Sequence, residues 1–261
     1  MANQIYDNIV IQSKFEDMLT TALDMNQFVT SDTSLVENAG MKVKVNKYDV
    51  TGDVEDLAMG VGNSASIEST ITTVEYEAKT TQGRFAYYDE QALTDPLVIE
   101  TGLRGIAAKM ANDFTEKAIA EMGKATLEQT VATAAIGFDD IVDATAKLNL
   151  EDETGLFMLI NPAELAGLRK NLKDMLSYSE AFARTGYIGS VNGIPVYVSK
   201  AVPAKKAFIA DKTAVTVFTK KGSEIEMERD ANTRNNTIYG RKVAVVALTD
   251  ATKVVKLTIT G

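Results

Sequence analysis

The sequence predicts an α+β fold in which one long helix precedes a C-terminal third built of hairpins and short strands. Three observations carry that reading. Leu103, Ile106, Ala107, Met110, Phe114, Ala118 and Met122 recur at three- and four-residue steps without a proline, the period of a helix. The run Leu156-Phe157-Met158-Leu159-Ile160 is wholly apolar and short, as a strand buried on both faces is. From Ser190-Val191-Asn192-Gly193-Ile194 onward, short β-prone stretches are separated by turn residues.

In chain order, Phe15, Met18, Leu19, Ala22 and Leu23 form an amphipathic pattern within residues 5–28. Its apolar face packs either on its own domain or over a neighbouring subunit. Met41 to Val50 alternates apolar and polar residues, the signature of a half-exposed strand. An acidic, glycine-containing stretch follows from Thr51 to Gly62. Ile67 and Ile71 then alternate with polar residues and, after a shift of phase, so do Val74, Tyr76 and Ala78; Phe85 to Tyr88 close the region. Residues 41–88 therefore read as a long two-stranded ribbon with an irregular tip, an element that is marginal unless it leans on something.

Asp95 suits a helix cap and Pro96 the first helical turn, so the long helix begins there. It is expected to reach Gly123 and to continue toward Gln129, a rod of roughly 45–50 Å. Gly102 and Gly105 within it mark close approach of another backbone, or tolerated weak spots. After a small-residue loop at 130–136, a helix is expected over 138–148 and the buried strand over 156–160. A further helix starts at Pro162 with Leu165, Leu168 and Leu172 inward, and 173–189 form a looser excursion. Strands are expected at 194–199, 207–210, 214–219, 224–229, 237–248 and 253–259.

Composition narrows the function. With 261 residues, 45% hydrophobic and 24% charged, the chain has ample material for a core. It has neither cysteine nor histidine, which removes thiol nucleophiles, thiolate metal sites, the usual general base and the commonest metal ligand. No cofactor or metal is expected. The formal net charge of −9 argues against a nucleic-acid reader but suits a container, which gains little from gripping its contents. The N-terminal residues carry no signal-peptide pattern and no run of about 18 apolar residues occurs, so the expectation is a chain made and kept in a cytoplasm, with no membrane partner.

No catalytic constellation emerges. Asp49, Asp53, Glu55 and Asp56 lack EF-hand spacing and read as a solvated acidic loop. Asp139, Asp140 and Asp143 sit where a helix start favours negative charge. Gly60-Val61-Gly62-Asn63 has no following Gly-Lys-Ser/Thr and so cradles no phosphate. The residues that stand out suit contact between subunits instead. They are Phe15 and Leu19 in the N-terminal segment, Lys42, Lys44 and Lys47 on the first ribbon strand, Asp53, Glu55 and Asp56 beyond it, and Arg229 and Arg234 in a polar loop. The ribbon's charges either steer docking or are ordinary surface charge. The two arginines either pair with a neighbour's carboxylates or belong to a solvated face.

The order of these segments resembles the major capsid proteins of tailed bacteriophages with the Hong Kong 97-type fold, over essentially the whole chain. The amphipathic arm, the ribbon with its acidic tip and the long capped helix are followed by Met158-Leu159-Ile160-Asn161-Pro162, Gly193-Ile194-Pro195-Val196 and Tyr239-Gly240-Arg241-Lys242-Val243-Ala244. The resemblance implies an N-arm at 1–40, an extended loop at 41–88, and a peripheral domain with a spine helix at 89–134. An axial domain at 135–225 follows, and C-terminal strands at 226–261 return to the peripheral domain. It further implies a structural, non-enzymatic role: hexamers and pentamers assembling in the bacterial host cytoplasm into an icosahedral virion shell around double-stranded DNA, without sequence-specific binding. A portal and cement proteins are implied partners and, since the chain starts almost at the arm, either a separate scaffolding protein or none. Some relatives crosslink a lysine of the extended loop; Lys79 lacks a surrounding motif for that chemistry, and no crosslink is expected. The rival readings are an encapsulin-like nanocompartment shell and, from another class, a carboxylate-dependent enzyme or ligand-binding β domain.

Overall fold

The computed structural model describes residues 24–37, 40–95, 97–151, 153–176 and 189–261. Phe15, Leu19 and most of the expected N-terminal arm lie outside them, as does most of the 173–189 excursion. The described chain enters through a 3-10 turn at Asp24–Gln27, with Met25, Phe28 and Val29 buried.

Strand β1 (Thr30–Asp32) and the single turn α1 (Ser34–Glu37) lead into β2 (Lys42–Thr51) and β3 (Glu68–Glu77), which pair antiparallel as an isolated ribbon. Then come β4 (Lys79–Tyr88), a short helix α2 (Asp89–Thr94) and the long helix α3 (Val98–Met122). Next are β5 (Leu127–Val131), α4 (Phe138–Leu148), β6 (Leu156–Ile160) and α5 (Pro162–Leu176). The chain finishes with β7 (Ser190–Val191), β8 (Ile194–Val198), β9 (Lys206–Asp211), β10 (Val215–Asp230), β11 (Asn235–Leu248) and β12 (Val254–Ile259).

Two sheets result. One has the order β5-β12-β9-β6-β8-β7, the other β1-β10-β11-β4. In the first, β6 is central and every residue is buried. Successive side chains point to opposite faces. Phe157 and Leu159 therefore join a core with Phe28, Ile119 and Met122, while Leu156, Met158 and Ile160 meet Ile141, Leu168 and Leu172 from α4 and α5. At about 1.5–3 kcal/mol per large side chain, this strand is a principal stabiliser of the body. The core on the Phe157 side continues into Val215, Val217, Val246 and Leu248, so it fastens the two sheets together at the C-terminal end of α3. The N-terminal half of α3 lays Leu103, Ile106 and Met110 on Ile225 and Ile238 of the second sheet.

Local chemistry explains the boundaries. The Asp95 side chain accepts the Leu97 N–H at 2.9 Å, closing the turn into α3. The helix stops at Gly123 rather than running to Gln129, because Leu127–Val131 is drawn into a parallel ladder with β12. At about 1.5 Å per residue, the 25-residue rod is about 37 Å long, shorter than expected. Gly137 N–H is met by the Asp140 carboxylate at 2.8 Å at the start of α4. The β7–β8 turn places Asn192 and Gly193 at φ 52° and 77°, the paired positive values of a type I′ hairpin.

Two further departures have plain causes. The ribbon ladder is confined to 42–51 and 68–77, because 79–88 leaves it to pair with β11. The two strands expected at 214–219 and 224–229 are one strand, since β11 runs unbroken beside them and the ladder resumes after irregularities between Thr219 and Glu224. Of the C-terminal strands, β11 lies beside β4, and β12 lies in the first sheet between β5 and β9.

Candidate assembly interface

The ribbon is where sequence pattern and exposure disagree most with a self-contained fold. In an antiparallel pair, opposed residues share a face. Near the base, Val43 opposes Tyr76 and Val45 opposes Val74. Val43, Val45 and Tyr76 pack on the buried Leu35, Ala78, Phe218 and Ala247, and the Tyr76 hydroxyl reaches toward the Leu248 carbonyl. Beyond the Asn46–Thr73 pair, the apolar residues change to the other face: Tyr48 opposes Ile71 and Val50 opposes Ser69. Tyr48, Val50 and Ile71 are 64%, 63% and 58% exposed. The phase shift, present in both strands of the ladder, thus turns the distal apolar face away from the chain's own core.

The tip, residues 52–67, carries the trend further. Val54, Leu57, Met59, Val61 and Ile67 are all exposed, Met59 completely. The tip is nevertheless a shaped loop. Glu55 accepts the Ser64 N–H at 2.9 Å and its hydroxyl at 2.6 Å, which clasps the two limbs and holds the Glu55 carboxyl below its ordinary value. Gly52 has φ +122° and any Cβ there would lie 2.3 Å from the Ser66 carbonyl oxygen, so only glycine fits.

The predicted charged residues divide. Lys42 and Lys44 share a face and both approach Glu75, at 3.7 and 3.0 Å, which lowers the Glu75 pKa. Lys47 lies on the opposite face, across from Thr72, so the three lysines form no single stripe. Asp53 and Asp56 are both exposed in the tip and have no ion-pair partner among the described residues. Arg229 and Arg234 are brought to the chain's own α2, where Arg229 reaches Asp89 at 2.8 Å and Arg234 reaches Glu90 at 2.8 Å. Asp89 is held further by Asn236, and the arginine hydrogen bond chiefly keeps its carboxyl below the usual range. These pairs staple the β10–β11 turn to the start of α2; being exposed, each is screened by water and contributes little to stability.

Sequence reasoning missed a groove between β4, α2 and α3, of about 960 Å³, with an apolar wall including Phe85, Val98 and Ile106. Its signal was faint: two glycines in a helix. Gly102 is explained within the chain, because a Cβ there would lie 2.3 Å from the Phe85 ring. Gly105 has nothing within 4 Å and faces the groove. Another oddity is the half-buried Lys242, whose pKa is lowered by desolvation, with its ammonium 5.8 Å from the Phe114 ring centroid. Among the described residues, no group of acidic side chains is arranged to hold a metal ion, and no helix is long and apolar enough to cross a membrane.

An α+β body with an outstretched ribbon and a long helix is the form of a shell subunit, and comparison with known proteins bears this out. Residues 71–257 match the family model for phage capsid protein, and the chain belongs to that family. It is similar to the major capsid protein of Staphylococcus phage phiMR11, at 26% identity over 266 residues, covering 98% of this chain and 94% of that protein. Among solved structures it resembles the mature capsid of bacteriophage PhiM1, with a TM-score of 0.70 and 12% identity over 91% of this chain and 87% of that one. It also resembles the holo-SrpI encapsulin complex of Synechococcus elongatus, with a TM-score of 0.65 and 12% identity over 99% and 91% of the two chains. The fold is the Hong Kong 97 type, and the protein is a structural component of a phage capsid rather than an enzyme.

Proposed function

We propose that the chain is the major shell subunit of a tailed phage, assembling through hexamers and pentamers into an icosahedral capsid that encloses double-stranded DNA without reading its sequence. The observation that carries this is the switch of the ribbon's apolar face. Its base is satisfied by the chain's own core, while Tyr48, Val50 and Ile71 offer apolar surface that no described residue of the chain covers. Many such modest contacts, repeated around a closed shell, give a stable container by multivalency. In this reading residues 1–40 are the N-arm, 41–88 the extended loop, 89–134 the peripheral domain, 135–225 the axial domain and 226–261 the returning strands. Phe15 and Leu19 contact neighbours from the arm, and Lys47, Asp53 and Asp56 from the ribbon. Lys42, Lys44 and Glu55 shape the ribbon, and Arg229 and Arg234 set the loop that borders α2. Assembly takes place in the host cytoplasm, with a portal and a separate scaffolding protein as partners and cement proteins on the outer surface.

Light scattering and negative-stain microscopy of the purified chain, alone and with its scaffolding protein, test the proposal. Closed shells or ring-shaped capsomers are expected; a strictly monomeric chain in both conditions overturns it. The likeness to an encapsulin supports a second reading, a nanocompartment around protein cargo. Shells isolated from infected or induced host cells decide between them: nuclease-protected double-stranded DNA belongs to the first reading, and packaged protein without DNA to the second.

A further inference from the structure

We infer that the pocket between the β7–β8 hairpin, the start of β6 and the turn at Asp24–Gln27 is a binding site for a small organic cation, an ammonium or guanidinium carried on a flexible apolar stem. Such a site adds to the shell reading and does not depend on it. The cavity measures about 430 Å³. Phe28, Leu156, Phe157 and Ile194 line it as buried apolar side chains. The Phe28 ring centroid lies 4.8 Å from that of Phe157 and 4.7 Å from that of Tyr197, which is 37% exposed and so brings an accessible ring to the pocket. The walls are set in advance: Gly155 has φ +96°, the Asn192–Gly193 turn has φ 52° and 77°, and Pro195 is stiff by its ring. A ligand that enters a preset site loses less to reorganisation.

Charge selects the ligand. Glu153 lines the pocket, is exposed, and has no ion-pair partner among the described residues. Asp211 stands behind Gly155: its Oδ2 would lie 3.4 Å from a Cβ there, while its Oδ1 is engaged by Thr213. No lysine or arginine is among the lining residues. An anion would therefore meet only like charge, and a wholly apolar ligand would strip water from Glu153 without replacing its hydrogen bonds. A cation on an apolar stem satisfies both parts, its charge pairing with Glu153 and lying against Tyr197 while its stem covers the apolar wall. Among the described residues no acidic group is arranged to hold a metal ion, so the cation is an organic one. Either a free polyamine or a basic side chain of another protein carries this chemistry.

Isothermal titration calorimetry of the purified chain at low ionic strength tests this, with spermidine for the free amine and N-acetylarginine amide for the side chain. Saturable binding of at least one probe is expected, and the tighter one names the source. Glu153→Gln, a change at an exposed residue, should weaken it about tenfold. Tyr197→Leu should weaken it about fivefold, whereas Tyr197→Phe, which keeps the ring, should not. No saturable binding of either probe overturns the inference, as does binding that Glu153→Gln leaves unchanged. Binding of methyl glucoside in place of both cations also overturns it, because ring and carboxylate would then serve a neutral sugar. The chain has no cysteine, so Glu153→Cys combined with Lys14→Cys gives a background-free control. A disulfide between those two positions within one chain assigns the pocket to the N-terminal segment and overturns the inference as well. None of these results touches the shell reading, which microscopy decides separately.

Discussion

Strand β6 and the distal ribbon both carry apolar side chains but meet opposite fates. Leu156 to Ile160 are all buried, clasped between β8 and β9 and covered on both faces. Tyr48, Val50 and Ile71 stand more than half exposed on a two-stranded ladder that no third described strand joins. Among the described residues the body covers most of its apolar side chains, while the distal ribbon leaves its own bare. In the proposed shell, contacts that hold the subunit together and contacts that join subunits are therefore separable by mutation, because they lie in different elements.

The sharpest way to break this comparison is to truncate one residue in each region. Met158→Ala should lower subunit stability by about 2–5 kcal/mol, seen as a shift of the denaturant midpoint. Tyr48→Ala should change subunit stability by no more than about 0.5 kcal/mol, yet reduce shell yield. A large stability loss from Tyr48→Ala would show that the ribbon face is not free in the subunit.

The two helix glycines give a smaller contrast within α3. Gly102→Ala should destabilise by about 1–3 kcal/mol, because its methyl meets the Phe85 ring. Gly105→Ala should raise subunit stability by about 0.5–1 kcal/mol, since it meets open space and gains helix propensity. Thermal melts of the two variants check both signs.

Acid should act on the second sheet's ion pairs. Glu224 titrates at about 2 instead of 4.5, held down chiefly by its hydrogen bond to Arg241. A depressed carboxylate contributes stability that is present above its unfolded value and lost as pH falls through the folded one. The midpoint should therefore fall between about pH 4.5 and 2, and Arg241→Ala should flatten that dependence. A pH series of urea melts reads this out.

Lys242 gives the smallest effect. Burial lowers its pKa, so its charge opposes folding until pH rises through the folded value toward the unfolded one. Lys242→Met should raise the melting temperature by about 2 °C at neutral pH, despite loss of the contact with the Phe114 ring.

Much of this was written locally. The 3.6-residue period of α3, the five-residue apolar run of β6, the Asn192-Gly193 turn and the phase shift in the second ribbon strand were legible, because each depends on neighbours in sequence. The matching shift between Val45 and Tyr48 emerges only from the ladder that sets those residues opposite Val74 and Ile71, and nothing local decides that one face is covered and the other bare. The partners of Lys42, Lys44, Arg229 and Arg234 were not legible, since Glu75, Asp89 and Glu90 reach them only through strand register and the return of β10 and β11 beside α2. The end of α3 was misplaced for the same reason: Leu127–Val131 is compatible with a helix until β12, more than a hundred residues later, offers a ladder. The groove was invisible because it is bounded by three elements and occupied by none of them. By itself the sequence determined period, turn chemistry and the absence of thiol and imidazole. The tertiary structure alone decided which apolar surfaces are covered and which charges meet, because burial and pairing are properties of segments distant in the chain.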